Sequence, residues 1–438
     1  MAGKMYILKA SWILPAWDRE PIQDGALLIQ GERIEAVGST EELIQRYSNL
    51  PVEDLGEVLV FPGLVNAHTH APMTIFRGLA DDLPLMVWLH NYIFPVESHL
   101  RAEWVYWGAK LAVCEMLRSG VTCFCDMYLF EPWVIRAVEE TGVRAALGEG
   151  LFDFPSPGYG ALEKGLNLTE ELLKNFERHP LINIMVCPHA VYTCSPETLK
   201  KIRRIAERYG ATVHIHLSET EDEVKECVSR YGRRPVAHLD SLGLLTGNLH
   251  IAHAVELTDG EIELLARRGV SVAHCPESNL KLGSGIARIP EMLAAGVRVT
   301  LGTDGPASNN DLDLLSEMRT AALLQKGLYR DPTVLPAREV FRLATEEGAR
   351  ALGFPECGRL ERGFRADLVT LDLTRPDLTP VHDPLSLLVY SARAGAVVDV
   401  MVEGHWLMRR GKFLTVNEEE VRIRIAEVVR EIRTLLRK

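Results

Sequence analysis

The chain has 438 residues and a mass of 48.9 kDa, enough for two or three average domains or for one large α/β barrel with an appended domain. Hydrophobic residues make up 47% and charged residues 25% of the chain, which is ordinary globular usage and excludes a disordered or fibrous protein. The net charge of −12 argues against a nucleic-acid-binding protein, which normally carries a basic stripe.

The cysteines and the hydropathy pattern indicate the compartment. Eight cysteines occur without a CxxC pair, which is typical neither of a disulfide framework nor of a structural zinc site, so we expect a cytoplasmic location. The first twenty residues lack an apolar segment followed by a small-residue cleavage site. No stretch approaches the ~18 uncharged apolar residues of a membrane span. We therefore expect neither a membrane nor a nucleic acid as a partner.

Short strands and turns are predicted at both ends of the chain, within residues 1–57 and again within residues 364–413. We expect the two ends to meet in one small β-sandwich domain, formed by residues 1–57 and 358–438. The amphipathic segment EEEVRIRIAEVVREIRTLLRK closes the chain and predicts a helix packed on the surface.

Strands and helices alternate in the middle of the chain, at residues 58–357. The eight apolar, β-rich runs lie at 59–65, 121–125, 143–147, 182–187, 211–215, 249–252, 270–273 and 297–301. Helix signals between them include the start at Ser195-Pro196 and the capping box Thr258-x-x-Glu261. Eight strands with intervening helices predict an α/β fold with a TIM-type (β/α)8 barrel.

Polar, titratable residues follow all eight runs, at the end where a TIM barrel carries its chemistry. In chain order they are His68 and His70, Asp126, Glu149, His189, His216 and Glu219, His253, His274, and Asp304. The pattern predicts one catalytic site built from many strand ends.

His68 and His70 lie two residues apart on a strand, so their side chains share a face and can bind one ion. A hydrogen-bonded strand pair is the alternative. His216 and Asp304 would complete three imidazoles and one carboxylate, which suits one zinc ion per subunit; iron accepts the same ligands. No lysine ends the fourth run, which favours one metal ion over two. We expect the neighbouring His214 to support or pack against this site.

Glu219 lies three residues after His216, where a carboxylate can take a proton from water and hand it to a leaving group. The alternative is an acid at the start of a helix, because Glu219 opens the run ETEDE. His253 could orient the attacking water or polarise the substrate, or it could be a core histidine.

Four longer segments resemble the amidohydrolase superfamily, over essentially the whole chain. They are PGLVNAHTHAPMTIFRG, HIHLSET, HCPESNLKLGSGIA and LGTDGPASNNDLDL, and they are similar to the 5′-methylthioadenosine/S-adenosylhomocysteine deaminases. The HxH, HLxE and TDG elements specify only the superfamily. SNLKLGSG and GPASNN, together with Glu97 in FPVE, are narrower and point to nucleoside deaminases.

The resemblance implies hydrolytic deamination of 5′-methylthioadenosine, S-adenosylhomocysteine or a related 5′-substituted adenosine to the inosine analogue and ammonia. It assigns the metal to His68, His70, His216 and Asp304. It assigns catalysis to Glu219 as proton shuttle, His253 as the group that orients the nucleophile, and Asp304 as its base. It assigns substrate contacts to Glu97 on the ribose hydroxyls, and to His189, Glu219, Asp304 and Ser308. Without the resemblance, Glu97 could be a surface acid.

One residue departs from the family, which usually has an arginine at the end of the third strand where this chain has Glu149. A carboxylate there would repel the amino-acid carboxylate of S-adenosylhomocysteine. We therefore expect this compound to be a poorer substrate than neutral 5′-substituted adenosines. Arg136 or Arg144 could compensate from a neighbouring position.

Two other functions stay open. Another amidohydrolase, such as a guanine deaminase or a triazine chlorohydrolase, would share the metal ligands. Glu97, Ser308 and the SNLKLG segment are therefore the features that distinguish a nucleoside deaminase from these enzymes. A non-catalytic barrel that serves as a binding scaffold would typically lack a ligand or the shuttle, and both are present. The expected partner is a small nucleoside, and a homo-oligomer is the open alternative to a monomer.

Overall fold

The structure is a computed structural model that describes residues 4–436. Strands from the two ends of the chain form one mixed sheet of nine strands. They are Met5–Ile13, Ile22–Gln30, Arg33–Ser39, Val52–Asp54, Val58–Pro62, Leu368–Asp372, Val397–Val402, His405–Arg409 and Lys412–Phe413. Val58–Pro62 pairs antiparallel with Leu368–Asp372 and so joins the two ends. The two ends therefore share a sheet, whereas the sandwich and the separate domain that we expected stay predictions.

The middle of the chain forms two parallel sheets. The first holds Leu64–Thr69, Val121–Tyr128, Arg144–Leu151, Ile182–Ile184 and Cys187–Pro188, and the second holds Val213–Leu217, Leu249–His253, Ser271–His274 and Arg298–Leu301. Parallel bridges from Val186 to Val213 and from Ala190 to His216 link the two sheets. At the other edge, the backbone N–H of Asp304 donates to the carbonyl of His68 at 3.0 Å. This arrangement is TIM-barrel-like, and a fully closed barrel stays a prediction.

Helices follow most of the parallel strands. The α-helices are Thr40–Arg46, Leu85–Trp88, Phe94–Glu97, Ala102–Arg118, Glu131–Thr141, Leu162–Asn175, Pro196–Tyr209, Glu221–Tyr231, Pro235–Ser241, Asp259–Arg268, Pro276–Lys281, Ile289–Ala295, Leu314–Tyr329, Ala337–Arg342, Gly348–Ala351, Pro384–Ser386 and Glu418–Leu435. Three 3₁₀ turns lie at Ala71–Phe76, Pro376–Leu378 and Ala394–Ala396, and three π-helical turns at Leu89–Ile93, Leu343–Glu347 and Leu387–Ser391.

The predicted helix signals are confirmed. The Ser195 side chain accepts from the backbone N–H of Thr198 at the start of its helix, and Thr258 and Glu261 form the reciprocal capping box. The closing helix is present at Glu418–Leu435. Among residues 4–436, no helix is long and apolar enough to cross a membrane.

The first predicted run, 59–65, is two strands rather than one. Val58–Pro62 belongs to the nine-stranded sheet and Leu64–Thr69 to the first parallel sheet. Gly63 lies between them, packed so closely on Thr122 that a Cβ atom would lie 1.9 Å from the threonine Oγ1. The chain therefore changes sheets at a residue that has no room for a side chain. The domain boundaries at 57/58 and 357/358 stay predictions.

Replacing Gly63 with alanine should destabilise the fold. The new methyl group would displace the buried, β-branched Thr122 at the crossing between the sheets, and overpacking of this kind costs about 1–3 kcal/mol. The free energy of unfolding in urea measures the effect. Gly327→Ala is the matched control, because this exposed helix position has nothing within 4 Å of an added Cβ, and alanine there should stabilise by up to about 1 kcal/mol. Equal stabilities of the two variants would contradict this account of Gly63.

Candidate active site

His70 and His216 face each other across the end of the parallel strands. The Nδ1–H of His70 donates to the carbonyl of Met127, and that of His216 to the carbonyl of His189 at 2.7 Å. A neutral imidazole has only one proton, so a ring that donates from Nδ1 has none to donate from Nε2. The two Nε2 atoms nevertheless lie 3.1 Å apart. Two lone pairs at this distance repel each other unless a cation lies between them.

A chain of hydrogen bonds sets the tautomer of His68. The Nδ1–H of His214 donates to the carbonyl of His250 at 3.0 Å, so the Nε2 of His214 accepts the Nδ1–H of His68 at 2.8 Å. The Nε2 of His68 therefore carries a lone pair, for which residues 4–436 supply no hydrogen-bond partner. Burial lowers the pKa of His68 to about 3, which keeps the ring neutral, the form that binds metal ions.

Asp304 supplies a carboxylate to the same point. Its Oδ1 lies 3.6 Å from the Nε2 of His68 and 3.4 Å from that of His70. Its Oδ2 accepts hydrogen bonds from the hydroxyls of Ser278 at 2.6 Å and Ser308 at 3.0 Å. Burial acts to raise the pKa of Asp304, but the interactions with His68 and the other imidazoles outweigh it and hold the pKa well below its usual range. The carboxylate is therefore ionised.

These side chains fit one divalent metal ion. The ligand atoms of His68, His70 and His216 lie within 4.8 Å of one another, as do those of His68, His253 and Asp304. Ligand atoms at about 2.1 Å from a tetrahedral zinc ion are about 3.4 Å apart, close to the observed separations of 3.1 to 3.6 Å. A cation here would also satisfy the unpartnered Nε2 of His68.

His253 reaches the site with its proton on the other nitrogen. The amide Nδ2 of Asn279 donates to the Nδ1 of His253 at 3.0 Å, which leaves the ring proton on Nε2. That Nε2 lies 3.8 Å from the Glu219 Oε2. His253 therefore faces the site as a hydrogen-bond donor, whereas the other three imidazoles present lone pairs. Asn279 lies in the SNLKLGSG segment, but the sequence did not single it out.

Glu219 is a buried carboxyl group rather than an acid at a helix start. The helix that follows begins at Glu221 with Thr220 as its cap, so the alternative interpretation is wrong. Ser284 donates to the Glu219 Oε1 at 3.1 Å. Burial, and secondly the charge of Asp304, raise the pKa of Glu219 to about 8. The group can therefore hold a proton at neutral pH.

A cavity of about 450 Å³ opens onto these residues and is also lined by Glu97, His189 and Ser308. The Tyr128 hydroxyl donates to the Glu97 Oε1 at 2.7 Å. Burial raises the pKa of Glu97, against the opposing effect of this hydrogen bond. Glu97 thus presents a carboxyl group to the cavity and is not the surface acid of the alternative interpretation. Tyr128 had no signal in the sequence.

All nine predicted site residues therefore gather around one metal-binding cluster and its cavity. The metal-ligand set, the proton shuttle and the substrate contacts assigned to them stay predictions about their roles.

The family model described as Amidohydrolase family matches residues 59–407. The chain belongs to the amidohydrolase family. A shorter match, to an imidazolonepropionase-like composite domain of bacteria, covers residues 25–47. A 5-methylthioadenosine/S-adenosylhomocysteine deaminase of Syntrophobacter fumaroxidans is 51% identical, over 95% of this chain and 95% of its own. A 5′-deoxyadenosine deaminase of Methanopyrus kandleri is 45% identical, over 91% of this chain and 93% of its own.

Among solved structures, an adenosine deaminase from Xanthomonas campestris with bound zinc has a TM-score of 0.95 and 39% identity, and the match covers 99% of both chains. The similarity extends over the nine-stranded sheet as well as the parallel strands. It supports a TIM-barrel-like fold and a divalent metal ion in this amidohydrolase.

The Glu149 side chain of this amidohydrolase is bonded to the start of a helix. Its carboxylate accepts hydrogen bonds from the backbone N–H groups of Phe130 at 3.1 Å and Glu131 at 2.8 Å, where the helix Glu131–Thr141 begins. The side chain caps a helix and does not line the cavity, so the expectation that it faces the substrate is wrong. The expectation that S-adenosylhomocysteine is a poorer substrate stays a prediction. Arg144 pairs with Asp367 at 2.9 Å, and Arg136 pairs with Glu140 on the surface at 2.9 Å, so neither arginine is free to compensate.

Replacing His214 with leucine should weaken metal binding. The change removes the acceptor that holds the proton of His68 on Nδ1, and loss of such a supporting partner typically lowers metal affinity by about 10–100-fold. A competition titration with a chromophoric zinc chelator measures the affinity without any turnover. His274→Leu is the control, because His274 is buried near the site but its ring nitrogens have no hydrogen-bond partner among residues 4–436. Wild-type affinity in His214→Leu would contradict the role of the hydrogen-bond chain.

Replacing Glu149 with glutamine should change how stability depends on pH. Burial raises the pKa of Glu149 from 4.5 to about 7, although the two backbone N–H groups act to lower it. The folded state thus binds this proton more tightly than the unfolded chain, and stability falls as the pH rises from about 4.5 to about 7. The shift corresponds to about 3 kcal/mol.

Glutamine does not titrate, so Glu149→Gln should gain up to about 3 kcal/mol relative to the wild type between pH 5 and pH 8. Unfolding in urea at the two pH values measures this difference. Glu139→Gln, at an exposed position of the neighbouring helix, serves as control. A wild-type-to-variant difference that stays constant with pH would contradict the raised pKa.

Proposed function

We propose that this amidohydrolase catalyses the hydrolytic deamination of 5′-methylthioadenosine and related 5′-substituted adenosines to the inosine analogue and ammonia. The observation that carries the proposal is the meeting, in one cavity, of a cluster that fits a metal ion, a carboxyl group that can hold a proton, and a second carboxyl group at Glu97. The deaminases that the chain resembles support the same reaction class.

In this proposal His68, His70, His216 and Asp304 hold one zinc ion per subunit, with iron as the alternative metal. Zinc is favoured by the zinc bound in the similar adenosine deaminase structure. When bound, such an ion supplies Lewis acidity, which makes water a nucleophile at neutral pH.

The protein's own groups then move the protons. Water adds to C6 of the purine ring while the Glu219 carboxyl group donates a proton to N1. His253, whose proton lies on Nε2, donates a hydrogen bond to the attacking oxygen and orients it. Asp304 accepts the first proton that the water loses and passes it to the exocyclic amino group. The C6–N bond then breaks and ammonia leaves, while the proton of the new C6 hydroxyl returns to Glu219 and a carbonyl forms at C6. The positions of Glu219, His253 and Asp304 around the cluster support these transfers.

Glu97 would hold the ribose. An ionised carboxylate can accept two O–H hydrogen bonds, as a ribose diol requires. Because the Tyr128 hydroxyl already binds the Glu97 Oε1, the orientation of the carboxylate is set before substrate arrives, and Oε2 stays available. His189 and Ser308 line the same cavity, and Ser308 also holds Asp304.

Glu97 favours a nucleoside over the substrates of a guanine deaminase or a triazine chlorohydrolase, which have no ribose hydroxyls. The complete set of ligands with Glu219 argues against a non-catalytic scaffold. All eight cysteines are free, which supports a reducing compartment, and we place the enzyme in the cytoplasm. Association into homo-oligomers stays open to test.

The zinc-loaded protein should release ammonia from 5′-methylthioadenosine, and Glu219→Gln should lower kcat by about 10²–10⁴-fold because the proton donor is lost. A coupled ammonia assay measures the rate, and the zinc content should stay unchanged. Glu221→Gln is the control, since this side chain is 71% exposed and should leave kcat as it is. Zinc-loaded protein that releases ammonia from guanine but not from 5′-methylthioadenosine would contradict the proposal.

A further inference from the structure

The outer part of the active-site cavity is apolar, in contrast to its inner end. Two segments outside the parallel strands form this outer wall: residues 85–94, with Leu85, Trp88 and Phe94, and residues 152–157, with Phe152 and Phe154. Among residues 4–436, no lysine or arginine lines the cavity. His90 is the one titratable side chain that these two segments contribute to the lining. A carboxylate entering this part would therefore meet an apolar surface with no lysine or arginine to pair with.

A row of rings leads from the metal-binding cluster to this outer wall. The ring centroid of His189 lies 4.9 Å from that of His216 and 6.4 Å from that of Phe152. Phe152 stacks on Phe154 at 4.3 Å, and Phe154 lies 6.4 Å from Phe94. The row therefore begins at the cluster and becomes fully apolar with distance from it.

The position of Glu97 shows which part of a nucleoside would meet this wall. Glu97 ends the short helix that begins at Phe94, and its partner Tyr128 packs against His70 with ring centroids 6.2 Å apart. With C6 of the base at the cluster and the ribose at Glu97, the 5′-substituent would extend toward Phe94, on the same short helix, and so toward the aromatic row.

One cation beside the wall, Arg230, is already engaged. Arg230 lines a neighbouring cavity, which shares Phe94, Phe154 and Tyr192 with the first. Its guanidinium pairs with Glu226 at 2.6 Å and donates to the carbonyl of Tyr192 at 3.2 Å. It is therefore not available to a substrate carboxylate in the active-site cavity.

We propose that the outer wall selects apolar, uncharged 5′-substituents and discriminates against those that end in a charged amino-acid group. This inference rests on the proposed function, which it narrows from 5′-substituted adenosines in general to neutral thioethers and deoxy compounds. The selection comes from the apolar side chains of the wall and from the absence of a lysine or arginine among the residues that line the cavity.

The test compares two substrates of equal length on the zinc-loaded enzyme at pH 8. 5′-Butylthio-5′-deoxyadenosine and S-adenosylhomocysteine both carry four carbons beyond sulfur and differ in the ammonium and carboxylate groups. We expect kcat/KM to be about tenfold to hundredfold higher for the butylthio compound, as for a charged group left unpaired, with the difference mainly in KM. 5′-Methylthioadenosine serves as the reference substrate.

A paired set of variants places a cation in the wall. Phe154 stacks on Phe152 and is 44% exposed, so an arginine there can stack on the same ring and offer its guanidinium to a carboxylate. Phe154→Arg should raise kcat/KM for S-adenosylhomocysteine relative to the butylthio compound by about tenfold or more. Phe154→Met, which removes the ring without adding charge, should not. Arg230→Gln should leave the ratio unchanged.

Equal kcat/KM for the two long substrates, whether high or low, would overturn the inference, as would a selective loss of S-adenosylhomocysteine turnover in Arg230→Gln. Failure to deaminate even 5′-methylthioadenosine would instead count against the proposed function. Titration calorimetry with the two reaction products, 5′-butylthioinosine and S-inosylhomocysteine, measures the binding preference without turnover. Equal affinities for these two compounds would overturn the inference by themselves.

Discussion

Backbone carbonyl groups at the ends of the parallel strands decide where the imidazole protons of the active site lie. The carbonyls of Met127, His189 and His250 take the Nδ1 protons of His70, His216 and His214. The Nε2 of His214 in turn accepts the Nδ1 proton of His68 and so fixes its tautomer. A neutral imidazole has one proton, so each donation leaves a lone pair on the opposite nitrogen. The lone pairs of His68, His70 and His216 face one another, and Asp304 lies beside those of His68 and His70. The capacity to bind a metal ion follows from this arrangement.

His253 shows that the same side chain takes the opposite role when its partner is a donor. Asn279 donates to its Nδ1, so the proton moves to Nε2 and faces the cavity. The pKa values of the two carboxyl groups, Asp304 and Glu219, likewise shift in opposite directions. Asp304 interacts with the neighbouring imidazoles and accepts from two serine hydroxyls, and its pKa falls. Burial, and secondly the charge of Asp304, raise the pKa of Glu219, against the effect of its one hydroxyl partner. An ionised carboxylate and a carboxyl group that can hold a proton at neutral pH thus coexist in one buried site.

Different parts of the chain form the inner end and the outer wall of the cavity. Its inner end is built on strand ends that the parallel sheets hold rigidly. Its outer wall is built on segments between the strands, around Trp88 and Phe154, which can change without disturbing the sheets. The inner end holds the metal-binding cluster, and the wall is where we propose that one substrate is distinguished from another.

The sequence by itself determined the order of strands and helices, the polar residues that follow the strands, and the two histidines that share a face at His68 and His70. These features are local, because strand periodicity and helix capping depend on residues a few positions apart. Only the tertiary structure decided that Glu149 caps a helix, that His214 orders the proton of His68, and that Tyr128 holds Glu97. Each of these depends on a partner distant along the chain, 146 residues away for His68 and His214. The packing of helices and strands against one another sets the direction of a side chain toward such a partner. This packing cannot be inferred from a local sequence pattern.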